Sequence, residues 1–243
     1  IYSQRLNRDE FEVICVNDCS TDETASVLEG YCAKYPNLII CNHSVNKRQG
    51  GGRNTGIKVA RGEYVTFIDC DDVYLPGSLS RVVDELKKPQ QLDVLMFDFQ
   101  QTRLGVTKEL QYAGNHSRIV TGVEFLKENE FTYAAWSYAF KRSFLLDNKL
   151  LFVENLQFED GDWCMSVLLQ ARRVKYVPLM EVHYMIEENS TTSLAAGAKN
   201  IVDLFEAGRR WHDLYVKARS IDAGLACKVK WHWLVGAKVG RFR

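Results

Sequence analysis

EYVTFIDCDDVYLPGSL, at residues 63–79, decides the fold class of this chain. The apolar and β-branched run at 63–69 predicts a strand, and Pro76 predicts the beginning of a helix that continues to Lys88. Three carboxylates stand directly after the apolar part of the strand, where they are poorly suited to packing. A strand that ends in acids before a helix is typical of α/β folds, whose functional loops lie at the carboxyl ends of the strands.

The same pattern extends to both sides of this stretch. Strands are predicted for FEVICVN at 11–17, LIIC at 38–41 and DVLMFDF at 93–99. Ser20 and Glu23 have the spacing of a capping box, which predicts a helix to about Tyr35. A polar loop at 42–52 and a short helix at 53–61 are predicted next. Strands that alternate with helices in this way indicate a mostly parallel sheet flanked by helices.

The pattern becomes mixed after Phe99. The sequence predicts a hairpin within 106–120, helices at 121–130 and 136–148, and strands at 172–177 and 181–185. From residue 199 the apolar spacing is helical. Its predicted inner stripe comprises Ile201, Leu204, Phe205, Trp211, Leu214 and Tyr215. We therefore expect one domain at 1–195 with a helical C-terminal extension at 196–243.

Composition excludes several classes of protein. The 243 residues are 46% hydrophobic, and 31 Lys and Arg balance 31 Asp and Glu, so no net charge favours nucleic acid as a partner. No apolar run approaches the roughly 18 residues of a membrane span. The seven cysteines are scattered without a CxxC pair, which favours reduced thiols, a cytoplasmic location and the absence of a zinc site.

The acids after the third strand are the strongest local sign of chemistry. Asp69, Asp71 and Asp72 would repel one another unless a cation or hydrogen-bond donors neutralised them. Mg²⁺ or Mn²⁺ is the natural partner, because these hard cations use one or two carboxylates together with substrate phosphates. The alternative is that the acids cap the turn into the next helix. For Asp72 the two interpretations are evenly balanced, whereas for Asp69 and Asp71 function is favoured.

Two further segments can contribute to a site at this edge of the sheet. Asp18 follows the first strand, where it can accept from a base N–H or a ribose hydroxyl, while Asp22 suits the first turn of a helix. The stretch QGGGRNTG at 49–56 lets backbone approach a ligand, and Arg53 can present a planar fork to phosphate or base oxygens. It lacks the GxGxxG register of dinucleotide-binding loops, because Thr55 stands at the third glycine position.

FEDGDW at 158–163 places acids before a helical apolar pattern. Asp162 is the predicted cap of that helix. Asp160 can be a general base, because a carboxylate beside apolar Phe158 and Trp163 can have its pKa raised toward working pH.

Taken in order, these segments resemble the family 2 glycosyltransferases, which have the GT-A fold and transfer a sugar from a nucleotide diphosphate with inversion. The resemblance is carried by 11–31, by 50–79, by 136–160 and by ENS at 188–190. It implies that Asp18 contacts the base, that Arg53 lies near the nucleotide and that Asp69 holds the ribose. By the same resemblance Asp71 ligates Mn²⁺ or Mg²⁺, and Asp160 is the catalytic base.

The resemblance also sets expectations for the ends of the chain. Members of the family open with a strand and turn similar to VSVIIPVYN, whereas IYSQRLNRDEFE at 1–12 resembles the end of the following helix, so the chain is expected to lack its first βα unit. The family's C-terminal metal-ligand histidine has no clear match, and His183 is expected to pack beside its strand. Basic residues and tryptophans in 224–243 suit either a peripheral membrane contact or packing on the catalytic domain.

Partners and alternative functions follow from these expectations. The donor is expected to be a nucleotide sugar, with uridine diphosphate as carrier, and the acceptor a glycan or lipid-linked precursor of a bacterial surface polysaccharide. VTFIDCDDV also fits a phosphatase of the haloacid dehalogenase type with Asp69 as nucleophile, although the acid expected soon after Gly161-Asp162 is missing. A non-catalytic protein that only binds sugar nucleotides is the third possibility.

Overall fold

A computed structural model of the chain describes residues 1–103, 105–111, 118–186 and 198–230. Its first part alternates strands with helices, as the sequence predicts. The elements are, in order, β1 (Val13–Asn17), α1 (Thr24–Lys34), β2 (Leu38–Asn42), α2 (Arg48–Val59), β3 (Tyr64–Thr66), β4 (Val73–Tyr74) and α3 (Ser78–Leu86).

The second part begins with a hairpin and ends with helices. Its elements are β5 (Val94–Arg103), β6 (Val106–Leu110), α4 (Gly122–Glu128), a 3₁₀ turn (Ala135–Ser137), β7 (Tyr138–Lys141), α5 (Arg142–Asp147), α6 (Glu159–Gln170), β8 (Val174–Ile186) and α7 (Ala198–Ile221). A further helical stretch covers 223–230.

The strands form two sheets. β1 and β2 are a parallel pair, and the larger sheet has the order β3-β7-β5-β8-β4, with β6 paired to β5. β5 and β8 are parallel, and β7 runs antiparallel between β3 and β5. The carboxyl ends of β3, β5 and β8 therefore point in the same direction, and the loop after β3 lies at that edge.

The first part of β5, Val94–Phe97, is buried on both faces, which explains its unbroken apolar sequence. Val94 and Met96 belong to a cluster with α4, α6 and α7, whereas Leu95 and Phe97 face a second cluster that includes Val82 of α3. Because successive side chains of a strand point to opposite faces, one strand supplies both cores. This central position holds the ends of the neighbouring strands in place.

The facing edges of the two sheets are separated by a cavity of about 1250 Å³. Among the described residues, β1 pairs only with β2 and β3 only with β7. Ile14 and Val16 line the cavity from β1, and Val65 lines it from β3. Its position between two strand edges that are unpaired within the described ranges, together with its apolar lining, suits one more extended segment, so the expected missing strand stays a proposal that the cavity supports.

Two predicted elements are wrong in type or extent. Residues 48–52, which include three glycines, were predicted to belong to a loop but lie inside α2, which begins at Arg48. A Cβ on Gly50 would come 2.4 Å from the Val153 carbonyl oxygen, so glycine there permits packing. WSYAFK at 136–141 was predicted as helix but forms the 3₁₀ turn and β7, because both edges of β7 pair with neighbouring strands.

The predicted caps of two helices are also wrong. Ser20 and Glu23 form no capping box: Asp22 instead accepts hydrogen bonds from the backbone and hydroxyl of Thr24. α6 begins after Phe158 without a side-chain cap, and Asp162 pairs with Arg210 of α7 at 2.7 and 3.1 Å. Asp162 therefore joins two helices.

The C-terminal helices pack onto the domain. Trp211, Leu214 and Ala218 of α7 are buried in the core that α6 also lines, whereas Phe205 is 76% exposed, so its place in the predicted inner stripe is wrong. Leu225 and Val229 are also buried there, which favours packing over membrane contact for 223–230. Within the described ranges, no helix is both long enough and apolar enough to cross a membrane. Residues 231–243 lie outside those ranges.

Candidate active site

The acidic loop after β3 contains one exposed and two partly buried carboxylates. The backbone N–H of Asp72 donates to the Asp69 carbonyl at 3.1 Å, which closes a turn. Oδ1 of Asp72 accepts from the backbone N–H of Met185 on β8 at 3.1 Å, so Asp72 ties the loop to the sheet. Asp71 between them is exposed. This division of roles gives Asp72 a structural contact and leaves Asp71 open to a ligand.

Arg53 of α2 connects this loop to the beginning of α6. Its Nη2 donates to Oδ1 of Asp69 at 3.0 Å, and its Nη1 donates to Glu159 at 2.7 Å and to Asp160. The Arg53 side chain is only 9% exposed, and its guanidinium also lies over the Phe152 ring. The fork that was expected to face a nucleotide therefore binds three carboxylates in this structure.

Three carboxylates around one guanidinium leave the cluster with excess negative charge. Burial raises the pKa of Asp160 to about 8; Arg53 opposes this increase, while the charges of Glu159 and Asp69 add to it. Burial disfavours the charge of Arg53, but Asp160, Asp69 and Glu159 outweigh it and raise the guanidinium pKa above its usual value. Arg53 is therefore always charged, and Asp160 is the group whose protonation can change near neutral pH.

Asp160 has one further contact. The backbone N–H of Ala135, in the 3₁₀ turn before β7, lies 3.4 Å from Oδ2 of Asp160. The opposite oxygen is held by Arg53. The carboxylate is thus oriented from two sides and is still 24% exposed, which is the combination a general base requires.

Asp18, at the end of β1, is held by the segment that follows β2. Its Oδ1 accepts from Nδ1 of His43 at 2.7 Å and from the backbone N–H of Lys47 at 2.8 Å. The side-chain amide of Asn46 donates to the Asp18 carbonyl at 3.0 Å. One carboxylate oxygen is therefore fixed, and Asp18 lines the cavity between the sheets.

The structure brings most of the predicted site residues together. Asp18, Arg53, Asp69 and Asp71 all line the 1250 Å³ cavity. Asp160 is absent from that lining and is joined to it through Arg53. The roles expected of these residues toward base, ribose, metal and acceptor stay predictions.

Sequence reasoning missed several polar residues of this region. Glu159 was treated only as part of an acidic run, yet its carboxylate is buried against Arg53. Asn54 exchanges hydrogen bonds with the backbone of Phe152 at 2.8 and 2.9 Å, which fixes α2 against the segment before α6. His43, which contacts Asp18 and Thr55, was not among the site residues expected from the sequence. The signal available in the sequence is that His43 lies in a polar segment just after the predicted strand at 38–41.

The donor set at Asp71 suits a hard divalent cation. Within the described ranges, no three or more His, Cys, Asp and Glu side chains are grouped as a metal cluster. Asp71 is an exposed carboxylate, and Oδ2 of Asp72 is a buried acceptor without a hydrogen-bond partner. Mg²⁺ and Mn²⁺ need few protein oxygens when phosphates supply others, so these residues fit such an ion. His183 shares a 2.6 Å hydrogen bond with Thr102, and ENS at 188–190 lies outside the described residues.

Comparison with known proteins identifies the family to which the chain is similar. The model of glycosyl transferase family 2 matches residues 1–146. An uncharacterised glycosyltransferase of Bacillus subtilis, EpsJ, is 32% identical over 196 residues, which are 76% of this chain and 55% of EpsJ. The chain spans about half the length of this relative.

Solved structures confirm the fold. The structure of Staphylococcus aureus TarS 1–349 in complex with UDP-GlcNAc has a TM-score of 0.74 and 24% identity, covering 96% of this chain and 65% of that one. A mannosyltransferase from Pyrobaculum calidifontis in complex with GDP-Man and Mn²⁺ has a TM-score of 0.58 and 17% identity, covering 99% and 70%. The α/β fold of GT-A type expected from the sequence is therefore confirmed.

Proposed function

The chain belongs to glycosyl transferase family 2, and from this premise we propose that it transfers a sugar from a nucleotide-diphosphate donor to an acceptor hydroxyl with inversion. The observation that carries the proposal is the contact of one buried guanidinium, Arg53, with Asp69 at the donor side and Asp160 at the acceptor side. Such a contact fixes the position of the donor side of the site relative to the acceptor side.

The donor is proposed to bind where Asp18, Arg53 and the acidic loop line the cavity, next to the part between β1 and β3 that the expected strand would fill. Asp18 accepts from the base, Asp69 accepts from ribose hydroxyls, and Asp71 is the protein ligand of a Mn²⁺ or Mg²⁺ ion. When bound, such an ion supplies positive charge to the diphosphate. The TarS structure holds UDP-GlcNAc, and the mannosyltransferase structure holds GDP-Man and Mn²⁺. These complexes support a nucleotide sugar as the donor of this chain and a divalent metal as its cofactor. We propose uridine as the base.

Asp160 is proposed to remove the proton of the acceptor hydroxyl. The acceptor oxygen attacks the anomeric carbon as the bond from that carbon to the diphosphate oxygen breaks. The electron pair of the broken bond leaves with the diphosphate, and the proton moves to the carboxylate of Asp160. A positioned base of this kind contributes about 10²–10⁴ in rate. Attack from the side opposite the leaving group inverts the configuration without a covalent intermediate.

The acceptor is proposed to be a glycan or lipid-linked precursor of a bacterial surface polysaccharide. TarS, a poly(ribitol-phosphate) β-N-acetylglucosaminyltransferase that is 28% identical over 74% of this chain, supports a polymeric acceptor. We further propose a cytoplasmic location with peripheral membrane contact confined to the end of 224–243. Flotation with anionic and neutral vesicles tests it: a chain ended at Lys230, which keeps buried Leu225 and Val229, should no longer float with anionic vesicles. Equal flotation of both chains would contradict the contact.

One assay distinguishes the proposed activity from its alternatives. The chain is incubated with a panel of nucleotide sugars and Mn²⁺, and release of nucleoside diphosphate is followed, with Asp160→Asn as the control. A glycosyltransferase releases nucleoside diphosphate from its own donor, and the release is faster when the acceptor is present. A phosphatase of the haloacid dehalogenase type would leave these donors intact, because they carry no phosphate monoester, and would release inorganic phosphate from an added monoester such as p-nitrophenyl phosphate. Donor binding without release would identify a non-catalytic protein and contradict the proposal.

A further inference from the structure

Asp18 is the end of a chain of three hydrogen-bonded side chains. His43, which directly follows β2, has Nδ1 at 2.7 Å from Oδ1 of Asp18 and Nε2 at 2.8 Å from the hydroxyl of Thr55. Thr55 belongs to α2, the helix that also carries Arg53. Residues of β1, of the segment after β2 and of α2 therefore meet at one imidazole.

The acceptor determines the direction of these bonds. A carboxylate oxygen only accepts, so Nδ1 of His43 carries the proton and donates a hydrogen bond to Asp18. In the neutral ring Nε2 then accepts from the Thr55 hydroxyl. Because that hydroxyl can also turn and accept, both contacts persist if the ring becomes protonated. His43 is 9% exposed, so few alternative partners compete for it.

These contacts leave the second oxygen of Asp18 for a ligand. Oδ1 already accepts from His43 and from the backbone N–H of Lys47, and the described residues give Oδ2 no hydrogen bond. A free carboxylate can rotate about its last side-chain bond, whereas one with a doubly held oxygen cannot. Asp18 lines the cavity, so Oδ2 is a fixed acceptor at its wall.

We propose that His43, supported by Thr55, is a positioning residue that sets Asp18 to select nucleobases presenting a ring N–H. The inference rests on the proposed function, since it concerns the donor's base. Uracil and guanine offer a ring N–H beside a carbonyl group. Cytosine and adenine present an unprotonated ring nitrogen at that place, which an anionic acceptor repels. A site that relies on a buried hydrogen bond rejects ligands that leave it unmade.

Thr55 also connects base selection to the rest of the site. It lies two residues after Arg53, so their side chains point about 200° apart around α2. One face of the helix therefore supports Asp18, and another holds Asp69 and Asp160. A shift of α2 would move both ends of the donor site together.

The test measures the binding of UDP, GDP, CDP and ADP by calorimetry with Mn²⁺ present. Wild type is expected to bind UDP or GDP most tightly. His43→Phe keeps the ring volume but removes both hydrogen bonds, so it should weaken the preferred ligand about tenfold or more and leave CDP nearly unchanged. His43→Asn should retain most of the preference, because its amide can donate where Nδ1 does. His212→Phe, at an exposed position of α7, is the matched control and should change nothing.

Thr55→Val keeps the side-chain shape and removes the hydroxyl, so it decides the matter if His43→Phe does not fold. Thr55→Val should lower the ratio of the affinity for UDP or GDP to the affinity for CDP. The ratio for His43→Asn should be higher than that for Thr55→Val and at most equal to that for wild type. An unchanged ratio in His43→Phe or Thr55→Val, or equal losses for all four ligands, would overturn the inference. Preference of the wild type for CDP or ADP would also overturn it while leaving sugar transfer intact. Wild type that binds none of the four would overturn the proposed function as well.

Discussion

Nη2 of Arg53 donates to Oδ1 of Asp69 across 3.0 Å, from the middle of α2 to the loop after β3. The same guanidinium also contacts Glu159 and Asp160 at the beginning of α6. One side chain from a glycine-rich helix thereby connects two acidic segments that are about 90 residues apart in sequence. The charge balance of this cluster governs several measurable properties.

Replacing Asp71 by Asn is expected to abolish turnover and metal-dependent nucleotide binding. An amide supplies no charge with which to hold a hard cation against water. Calorimetry of UDP binding with and without Mn²⁺ measures the effect, and Asp147→Asn, an exposed substitution on α5, is the control. Equal Mn²⁺-dependent binding by wild type and Asp71→Asn would remove Asp71 from the site.

Asp160→Asn should leave donor affinity nearly intact and lower transfer by about a hundredfold or more, the range of a lost general base. Initial rates at saturating donor, together with the donor dissociation constant, separate these two effects. Thermal stability should not fall, because the amide relieves repulsion from Glu159 and Asp69. If donor binding collapses together with the rate, Asp160 has a structural or metal-binding role instead.

The pH dependence of transfer should report the raised pKa of Asp160. The base must be ionised to accept a proton, so the rate at saturating donor should rise about tenfold per pH unit up to about pH 8 and then level. Because the pKa of Asp160 is raised from 3.8 to about 8 by folding, the free energy of unfolding decreases as the pH rises between these two values. The melting temperature of wild type should therefore fall relative to that of Asp160→Asn between about pH 4 and pH 8. A constant difference would show that the pKa is ordinary.

Arg53→Met should destabilise the fold strongly. Removing the cation leaves Asp69, Glu159 and Asp160 without their shared partner, and breaking a buried pair typically costs about 3–5 kcal/mol. Urea unfolding measures the change, and adding Asp160→Asn should recover part of it, because one uncompensated carboxylate is then gone. Arg61→Met is the control: Arg61 is 77% exposed in its pair with Glu12, so little change is expected. Equal losses in both variants would contradict a special role for Arg53.

The cavity between β1 and β3 predicts that a chain extended by a family-type strand is more stable and binds nucleotide more tightly. An extended segment there would pair with the open edges of both strands and cover apolar Ile14 and Val65. Melting temperature and UDP affinity of the extended and the present chain test this, with a Gly/Ser segment of equal length as control. Equal stability and affinity with either extension would contradict it.

Much of the fold could be predicted from the sequence because its signals are local. The apolar runs at 11–17, 63–69 and 93–99 each coincide with all or part of a strand, and the acids after the third strand belong to the candidate site. The combination of these motifs also indicated the family. A stretch of strand that is buried on both faces is apolar, and this shows in the sequence as an uninterrupted apolar run. Acids at the end of such a run are costly to bury, so they indicate an exposed loop or a site.

Tertiary structure decided what depends on residues far apart in the chain. WSYAFK forms a strand because two distant strands offer it open edges, and the glycines of α2 are explained by the approach of Val153. Arg53 meets Asp160 across 107 positions, and His43 meets Asp18 across 25. The sequence by itself determined most of the strands of the first half of the chain and the acids that follow them. Only the folded chain decided which charges share a partner, because hydrogen bonds and ion pairs depend on distances that residue spacing does not specify.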